Sequence, residues 1–119
     1  ATTNIEVFNG YKVKKIITMC PHGYNTLKYD YKELGGDYEV YHYTEILEDL
    51  IKNGKLSLKN PVEGLGTMAY HDSCYLGRYN KIYDQPRNIL KAMNSGTLVE
   101  MANHHEKSLC CGAGGGRMW

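Results

Sequence analysis

The sequence predicts an α/β fold in which a parallel sheet is flanked by helices. Short apolar, β-rich runs alternate with helical patterns, and glycine or proline stands at most of the junctions between them. This alternation favours parallel strands joined by right-handed crossover connections. Because ligands bind beyond the carboxyl ends of such strands, we expect the functional residues, cysteines above all, in the loops that follow them.

The first half of the chain contains two predicted strands and two predicted helices. Residues 13–19 form a β-rich apolar run, and a helical pattern follows over residues 25–34 until a glycine pair stops it. Residues 38–43 predict the second strand. A helix with an apolar face begins at residue 44 and is closed by the Asn-Gly pair at residues 53–54.

The second half begins with a predicted loop or linker over residues 56–66, which contain a proline and two glycines. Residues 67–70 predict a third strand. Pro86 suits the first turn of a helix that runs to about residue 93, because proline lacks the backbone N–H that a first turn leaves unused. Residues 96–101 predict a fourth strand before a polar loop.

Composition and charge exclude some function classes. The 119 residues carry 14 basic and 13 acidic side chains, a net charge of +1, which does not favour nucleic acid as a partner. No apolar run approaches the roughly 18 to 20 residues of a membrane-spanning helix. We therefore expect no nucleic-acid partner and no direct membrane span, and the charge does not identify any other partner.

The four cysteines are the main candidates for chemistry: Cys20, Cys74, Cys110 and Cys111. The adjacent pair cannot easily bridge, because Cα atoms about 3.8 Å apart are closer than the usual disulfide span of roughly 4.4 to 6.8 Å. The sequence shows no secretory signal, so a reduced, cytoplasmic location and a metal or redox role are favoured over a disulfide framework. Each cysteine loop follows a predicted strand, so we expect them to converge on one edge of the sheet.

A glycine run follows the cysteine pair directly, beginning at Gly112. Glycine permits positive φ and lets backbone amides approach closely, as N–H···S bonds to a thiolate-bound cluster require. The run is a poor dinucleotide-binding fingerprint, because it lacks the G-x-G-x-x-G spacing and follows a polar loop.

Several sequence blocks, in this order, carry a resemblance to a known family: C-P-H-G-Y-N-T-L from residue 20, H-D-S-C-Y-L-G-R from residue 71, P-R at 86, E-M at 100, and C-C-G-A-G-G-G-R-M-W from residue 110. They resemble the cysteine-rich CCG-domain family. This family contains heterodisulfide reductase catalytic subunits and related Fe–S oxidoreductases, including subunits that work with glycolate, lactate, glycerol-3-phosphate or electron-transfer-flavoprotein systems.

The family pattern is one Cys, a spacer, Cys-Cys-Gly, a second spacer and a closing Cys-x-x-Cys, usually present twice. Cys74, Cys110 and Cys111 resemble the first three ligands of the second copy, whose closing pair is expected after residue 119. Cys20 resembles the first Cys of the closing pair of the first copy. The resemblance thus implies that residues 1–60 are the C-terminal half of a first CCG domain and 61–119 the N-terminal half of a second, separate or packed as one α/β unit.

One position departs from the family pattern. Gly23 stands where the closing pair has its second Cys, so the first site is incomplete or His22 substitutes. The resemblance therefore implies a cluster on the second copy: a noncubane [4Fe–4S] cluster held by thiolates, for disulfide reduction or electron transfer. The implied partners are a flavoprotein, a ferredoxin-like protein or a membrane cytochrome/quinone subunit, with the protein peripheral to the inner face of the membrane through them.

Two other functions stay open from the residues. Cys20, His22, Cys74 and the cysteine pair offer tetrahedral N/S ligands for zinc. In the second alternative, the chain is a non-catalytic interaction domain with an incomplete cluster site.

The remaining polar residues of these blocks have simpler expected roles. His71 and Asp72 are expected to cap a turn, and His104 and His105 to be solvated. Arg78 and Arg117 flank the ligand loops, where they would offset cluster charge.

Overall fold

In this computed structural model, the described residues are 1–58, 64–93 and 96–112, and the chain divides into two compact units. We call Ala1–Leu58 the N-terminal unit and Lys59–Trp119 the C-terminal unit. Each contains two short parallel strands with helices, which confirms the α/β class. The strands of the described residues form two separate two-stranded sheets, so the expectation of a single sheet was wrong.

The N-terminal unit has the following elements: α1 Thr2–Gly10, β1 Lys15–Thr18, α2 Pro21–Asn25, a π-helical turn Thr26–Asp30, α3 Tyr31–Glu33, β2 Glu39–His42 and α4 Tyr43–Lys52. Strands β1 and β2 pair in parallel, with Ile16 opposite Val40. The helical segment starts at Pro21, earlier than predicted, because Cys20 caps it and proline fits its first turn.

Helix α1 was not predicted, and its weak apolar pattern explains why. It is held by tertiary contacts instead: Ile5 is buried, and the ring of Phe8 meets Tyr38 edge-on. The Asn4 side chain also donates to the Tyr31 hydroxyl over 3.0 Å. Packing thus supplies the stability that local propensity lacks in a short helix.

The C-terminal unit contains β3 Gly66–Ala69, α5 Asp84–Ala92, β4 Gly96–Val99 and a 3₁₀ turn at His105–Lys107. Strands β3 and β4 pair in parallel, with Gly66 opposite Gly96. A side chain at Gly96 would collide with the Gly66 carbonyl oxygen, so this start of the sheet requires glycine. Strand β4 is shorter than the predicted run to residue 101.

Hydrogen-bonded turns over residues 74–80 connect β3 to α5. They bring together the buried side chains of Leu76, Ile82 and Tyr83. A Cβ atom at Gly77 would collide with the Tyr83 ring, so the chain passes the ring only because residue 77 has no side chain. In the three described ranges, no helix has the length and apolarity to cross a membrane.

Candidate functional site

A buried ionic network lies at the centre of the C-terminal unit. Arg87 on α5 forms paired hydrogen bonds with Asp72, Nη1 to Oδ1 and Nη2 to Oδ2, both 2.7 Å long. A second pair reaches Glu100, from Nε to Oε1 over 2.7 Å and from Nη2 to Oε2 over 2.9 Å. Planar guanidinium suits such two-pronged recognition of carboxylates. One arginine therefore joins the loop after β3 to the residue after β4.

Every nitrogen of the Arg87 guanidinium has an acceptor, and Nη1 also donates to the Tyr83 carbonyl over 2.8 Å. Arg87 and Asp72 are 3% and 2% exposed. Their burial would be costly without this pairing. The bonds to Asp72 and Glu100 raise the pKa of Arg87, and all three groups are charged at neutral pH.

The two carboxylates respond differently to their surroundings. Burial alone raises the pKa of Asp72, but the hydrogen bonds from Arg87 and from the His105 N–H outweigh it, so the pKa lies below its usual value. The bond from Arg87 is the main cause that lowers the pKa of Glu100, and the nearby His104 and His105 add to it. The network carries two negative charges against one positive charge.

The same network ties the two cysteine loops of this unit together. Asp72 precedes Cys74 by two residues, and Ser108 precedes Cys110 by two. The buried Ser108 hydroxyl donates to the Asp72 carbonyl over 2.8 Å, and Arg78 Nη2 donates to the Ser108 carbonyl over 2.6 Å. These bonds join residues 30 and 36 positions apart, so they fix one cysteine loop against the other.

At Cys110-Cys111-Gly112, a backbone amide donates to a cysteine sulfur. The Gly112 N–H donates to Cys110 Sγ over 3.5 Å, and Gly112 has φ of +78°. That backbone conformation favours glycine, because a Cβ atom would be strained there. Gly112 thus supplies an N–H···S bond that stabilises negative charge on sulfur.

All four cysteines lie among the described residues, and none of them forms a disulfide. Cys110 and Cys111 are exposed and Cys74 is half-buried. A cavity of about 430 Å³ opens beside Cys110, between the His71 side of the first loop and Leu109 of the second. The site is thus accessible at the cysteine pair.

The three cysteines of this unit do not meet at one point. In the described ranges, one group of three metal-ligating side chains comes together, and it contains no cysteine. A single zinc ion needs its ligands within one coordination sphere, and the three cysteines do not form such a group in the described residues.

Cys20 lies in the N-terminal unit, at the start of α2. Its Sγ accepts a hydrogen bond from the Gly23 N–H over 3.4 Å. A Cβ atom at Gly23 would lie 3.5 Å from Cys20 Cβ and 3.9 Å from Cys20 Sγ, which is ordinary contact distance. The backbone thus retains room for the second cysteine that the sequence lacks.

A buried histidine supports the chain next to Cys20. His42 Nε2 lies 3.0 Å from the Met19 carbonyl oxygen, to which it donates, and Nδ1 lies 2.8 Å from the Thr44 hydroxyl. Burial is the main cause that lowers the pKa of His42. A neutral ring with its proton on Nε2 satisfies both contacts. Sequence reasoning missed this residue, because its partners are set by the pairing of β1 with β2.

Several expectations for the polar residues can now be compared with the structure. Asp72 is a buried partner of Arg87 and not merely a turn cap. His104 and His105 are half-buried and hydrogen-bonded to each other, with their Nδ1 atoms 2.6 Å apart, so they are only partly solvated. Arg78 bonds to backbone, and the expectation for Arg117 falls outside the described residues.

Comparison with known proteins places these features in a family context. Residues 68–119 match the family model described as CCG, cysteine-rich domain. The chain is 59% identical over 117 residues to the EtfAB:quinone oxidoreductase of Syntrophomonas wolfei, covering 98% of the chain and 16% of that protein. It is 53% identical over 119 residues to the probable iron-sulfur-binding oxidoreductase FadF of Bacillus subtilis, covering 100% and 17%.

More distant relatives include one subunit of the dihydromethanophenazine:CoB–CoM heterodisulfide reductase of Methanosarcina acetivorans, 36% identical over 119 residues, with 98% of the chain and 29% of that protein covered. The chain spans less than a fifth of the length of the two more similar relatives. No solved structure matches it.

Proposed function

Since residues 68–119 belong to the cysteine-rich CCG-domain family, we propose that this chain is the part of an Fe–S oxidoreductase subunit that contributes Cys74, Cys110 and Cys111 to a cluster. The observation that carries the proposal is the joining of two cysteine loops by Asp72, Ser108 and Arg78, next to a thiol that accepts an amide N–H. An Fe–S cluster, when bound, supplies reversible one-electron transfer.

The residues of the chain have distinct tasks in this proposal. The cysteine thiolates would hold iron, and the Gly112 amide would stabilise negative charge on the Cys110 sulfur, to which it donates. Asp72 and Ser108 keep the backbone before each cysteine at a fixed separation, which preorganises the ligands. The exposed cysteine pair leaves one side open toward the other ligands or a redox partner.

We assign a [4Fe–4S] cluster of noncubane type, used for disulfide reduction or for electron transfer to a quinone or flavoprotein partner. The names of the relatives mention a quinone, EtfAB and a heterodisulfide, which supports these partner classes. We further propose a cytoplasmic location, peripheral to the inner face of the membrane through partner subunits.

Cys20 has a secondary place in the proposal. It corresponds to a first copy whose closing pair is interrupted by Gly23, with residues 1–60 contributing to that copy and 61–119 to the second. Cys20 therefore matters less for the working cluster than the three cysteines of the C-terminal unit.

The main test uses single Cys→Ser variants of the full-length protein. Cys74→Ser, Cys110→Ser and Cys111→Ser should each abolish the cluster spectrum and lower iron and acid-labile sulfide, because a hydroxyl is a much poorer ligand for iron than a thiolate. Cys20→Ser is the matched control and should retain both. An intact cluster signal in Cys111→Ser, or its complete loss in Cys20→Ser alone, would contradict the ligand assignment.

A second test addresses the amide. Gly112→Val should impair cluster assembly or shift the midpoint potential, since valine disfavours the positive φ that aims the N–H at Cys110. Gly35→Val is the control. It places valine at a similar positive φ of +87°, at a position that is far from any cysteine in the sequence. Unchanged iron content and potential in Gly112→Val would show that the amide has no role at the cluster.

A further inference from the structure

The three metal-ligating side chains that do come together in the C-terminal unit are Glu100, His104 and His105. One ring nitrogen of each histidine and a carboxylate oxygen of Glu100 lie within 4.8 Å of one another. The two Nδ1 atoms lie 2.6 Å apart, so one ring donates a hydrogen bond to the other. Two imidazoles and one carboxylate are a donor set that suits zinc and other divalent transition-metal ions.

Two of the three donors are held in place by neighbours that are not themselves donors. Arg87 fixes both oxygens of Glu100. The His105 N–H donates to Asp72 Oδ2 over 2.6 Å, and the His105 ring lies against Tyr83, with the ring centroids 5.1 Å apart. Metal ligands in proteins are normally oriented by such outer contacts.

The backbone at His105 is also unusual. Its φ is +54°, in the left-handed region that residues other than glycine seldom adopt. Backbone strain of this kind persists only when the surrounding structure enforces it, and it is concentrated at functional sites. Here the bond to Asp72 and the contact with the Tyr83 ring hold this backbone, and the His105 ring lies edge-on to the His104 ring, with the ring centroids 4.8 Å apart.

The group retains the capacity to bind a cation. A carboxylate has about four lone-pair sites, and Arg87 uses one on each Glu100 oxygen, so both oxygens can accept a further partner. The Glu100 side chain is 37% exposed, and a cavity of about 490 Å³ borders both histidines. Asp72, Arg87 and Glu100 together carry one net negative charge, which attracts a cation.

We propose that Glu100, His104 and His105 form a binding site for a divalent transition-metal ion of the zinc class, distinct from the cysteine site. An ion bound through both Nδ1 atoms replaces the hydrogen bond between them, and the proton of that bond is released to solvent. A tetrahedral ion with Zn–N distances of roughly 2.0–2.1 Å holds its nitrogen ligands about 3.3 Å apart, so the two Nδ1 atoms separate by about 0.7 Å on binding. Three protein ligands leave the fourth position for water or a substrate group. The proposal is independent of the proposed cluster function, because it uses no cysteine.

Cobalt(II) is the probe that distinguishes the two kinds of site. The full-length protein should bind one equivalent of Co²⁺ that shows d–d absorption without the charge-transfer absorption of a cobalt–thiolate bond, and Zn²⁺ should displace it. His104→Gln and His105→Asn should each weaken Co²⁺ binding at least about tenfold. Loss of a residue that only orients a metal ligand already costs about 10–100-fold in affinity, and each of these variants removes a ligand itself. Asparagine is chosen at residue 105 because it tolerates positive φ.

Glu106→Gln is the matched control. It removes an exposed carboxylate from the same turn, one that pairs with Lys81 and lies outside the group, and should leave Co²⁺ affinity unchanged. Thermal unfolding of each variant separates loss of the site from loss of the fold. The proposal is overturned if the folded His104→Gln and His105→Asn variants bind Co²⁺ as the wild type does, or if the bound Co²⁺ shows only thiolate charge transfer. Iron content reports separately on the cluster.

Discussion

In the N-terminal unit the core is built from apolar and aromatic side chains around β2, namely Ile5, Tyr24, Tyr31 and Val40. In the C-terminal unit, three apolar side chains are buried together with a charged arginine that binds two carboxylates. Both units have a strand, a helical connection and a parallel strand. The same local plan is therefore stabilised in one case by packing and in the other by a network that requires particular partners.

The two units also differ in how the backbone near each cysteine is held. Cys20 bonds within its own turn, to residues two to four positions away, although His42 reaches the neighbouring Met19 carbonyl. The loops of Cys74 and Cys110 are joined by bonds from Ser108 and Arg78 that span 30 residues or more. The directional network is found in the unit that has the C-C-G motif, whose cysteines are the proposed cluster ligands.

The largest expected effect comes from removing the centre of that network. Arg87→Met should lower the free energy of unfolding by about 3–5 kcal/mol, because Asp72 then remains as an uncompensated buried charge. Chemical denaturation of the full-length protein measures the loss. Lys15→Met in the N-terminal unit is the control, since its ion pair with Glu39 is solvent-exposed and should contribute nothing measurable. Equal stability of both variants would refute the contrast between the units.

A smaller loss is expected from adding one methyl group at Gly77. Gly77→Ala forces the Tyr83 ring to move and should cost about 1–3 kcal/mol, as overpacking of a core does. The matched change in the N-terminal unit is Gly10→Ala, where no atom lies within 4 Å of the added Cβ. That variant should be neutral or slightly more stable, by less than about 1 kcal/mol. Thermal unfolding compares the two variants. If Gly77→Ala were the more stable one, the Tyr83 ring would not restrict residue 77 to glycine.

The positions of the strands could be predicted from the sequence, whereas their arrangement could not. The β-rich run at residues 13–19 contains β1, and residues 67–70 nearly coincide with β3, because β-propensity and nearby turn residues are local signals. The division into two small sheets depends on which strands pair, and pairing is a tertiary property. Helix α1 was missed for the same reason, since Ile5 and Phe8 are stabilised by distant residues.

For the candidate site as well, the sequence predicted the motifs but not the contacts between distant residues. Cysteines, glycines and the P-R and E-M blocks were recognised as motifs, and Gly112 has the positive φ that its position suggested. The role of Arg87 was not predicted, because its partners lie 13 and 15 residues away and only the fold brings them together. His104 and His105 look like a polar loop until the bond between Asp72 and the His105 N–H is known.

The buried histidine of the N-terminal unit gives a test by pH. The pKa of His42 is lowered in the folded state, so the unfolded chain binds a proton more readily. The contribution of the neutral His42 to the free energy of unfolding is therefore fully present above the pKa of the unfolded state, about 6.5. This contribution is lost as the pH falls from that value toward the lower pKa of the folded state. The slope cannot exceed about 1.4 kcal/mol per pH unit, the limit for one proton.

The measurement compares the free energy of unfolding of the wild type and His42→Gln between pH 8 and pH 5. Glutamine can still donate to the Met19 carbonyl but does not titrate in this range, so the difference between the two curves isolates His42. Parallel curves would mean that the burial of His42 does not affect its protonation.

The smallest effect on stability, and the sharpest on chemistry, is expected at Gly23. Gly23→Cys should fold normally, because the new Cβ meets Cys20 Cβ at 3.5 Å and the Thr18 hydroxyl oxygen at 3.5 Å, both ordinary contacts.

The separation of the two Cβ atoms lies at the short end of the roughly 3.5–4.5 Å found in disulfides. Under mild oxidation the variant should therefore lose two titratable thiols relative to its reduced form. Gly10→Cys, which places a cysteine where no atom lies within 4 Å of its Cβ, should lose none by this route. If Gly23→Cys kept all its thiols under oxidation, the Cys20 turn would lack the geometry of a Cys-x-x-Cys pair, and the difference between the two units would extend to the backbone itself.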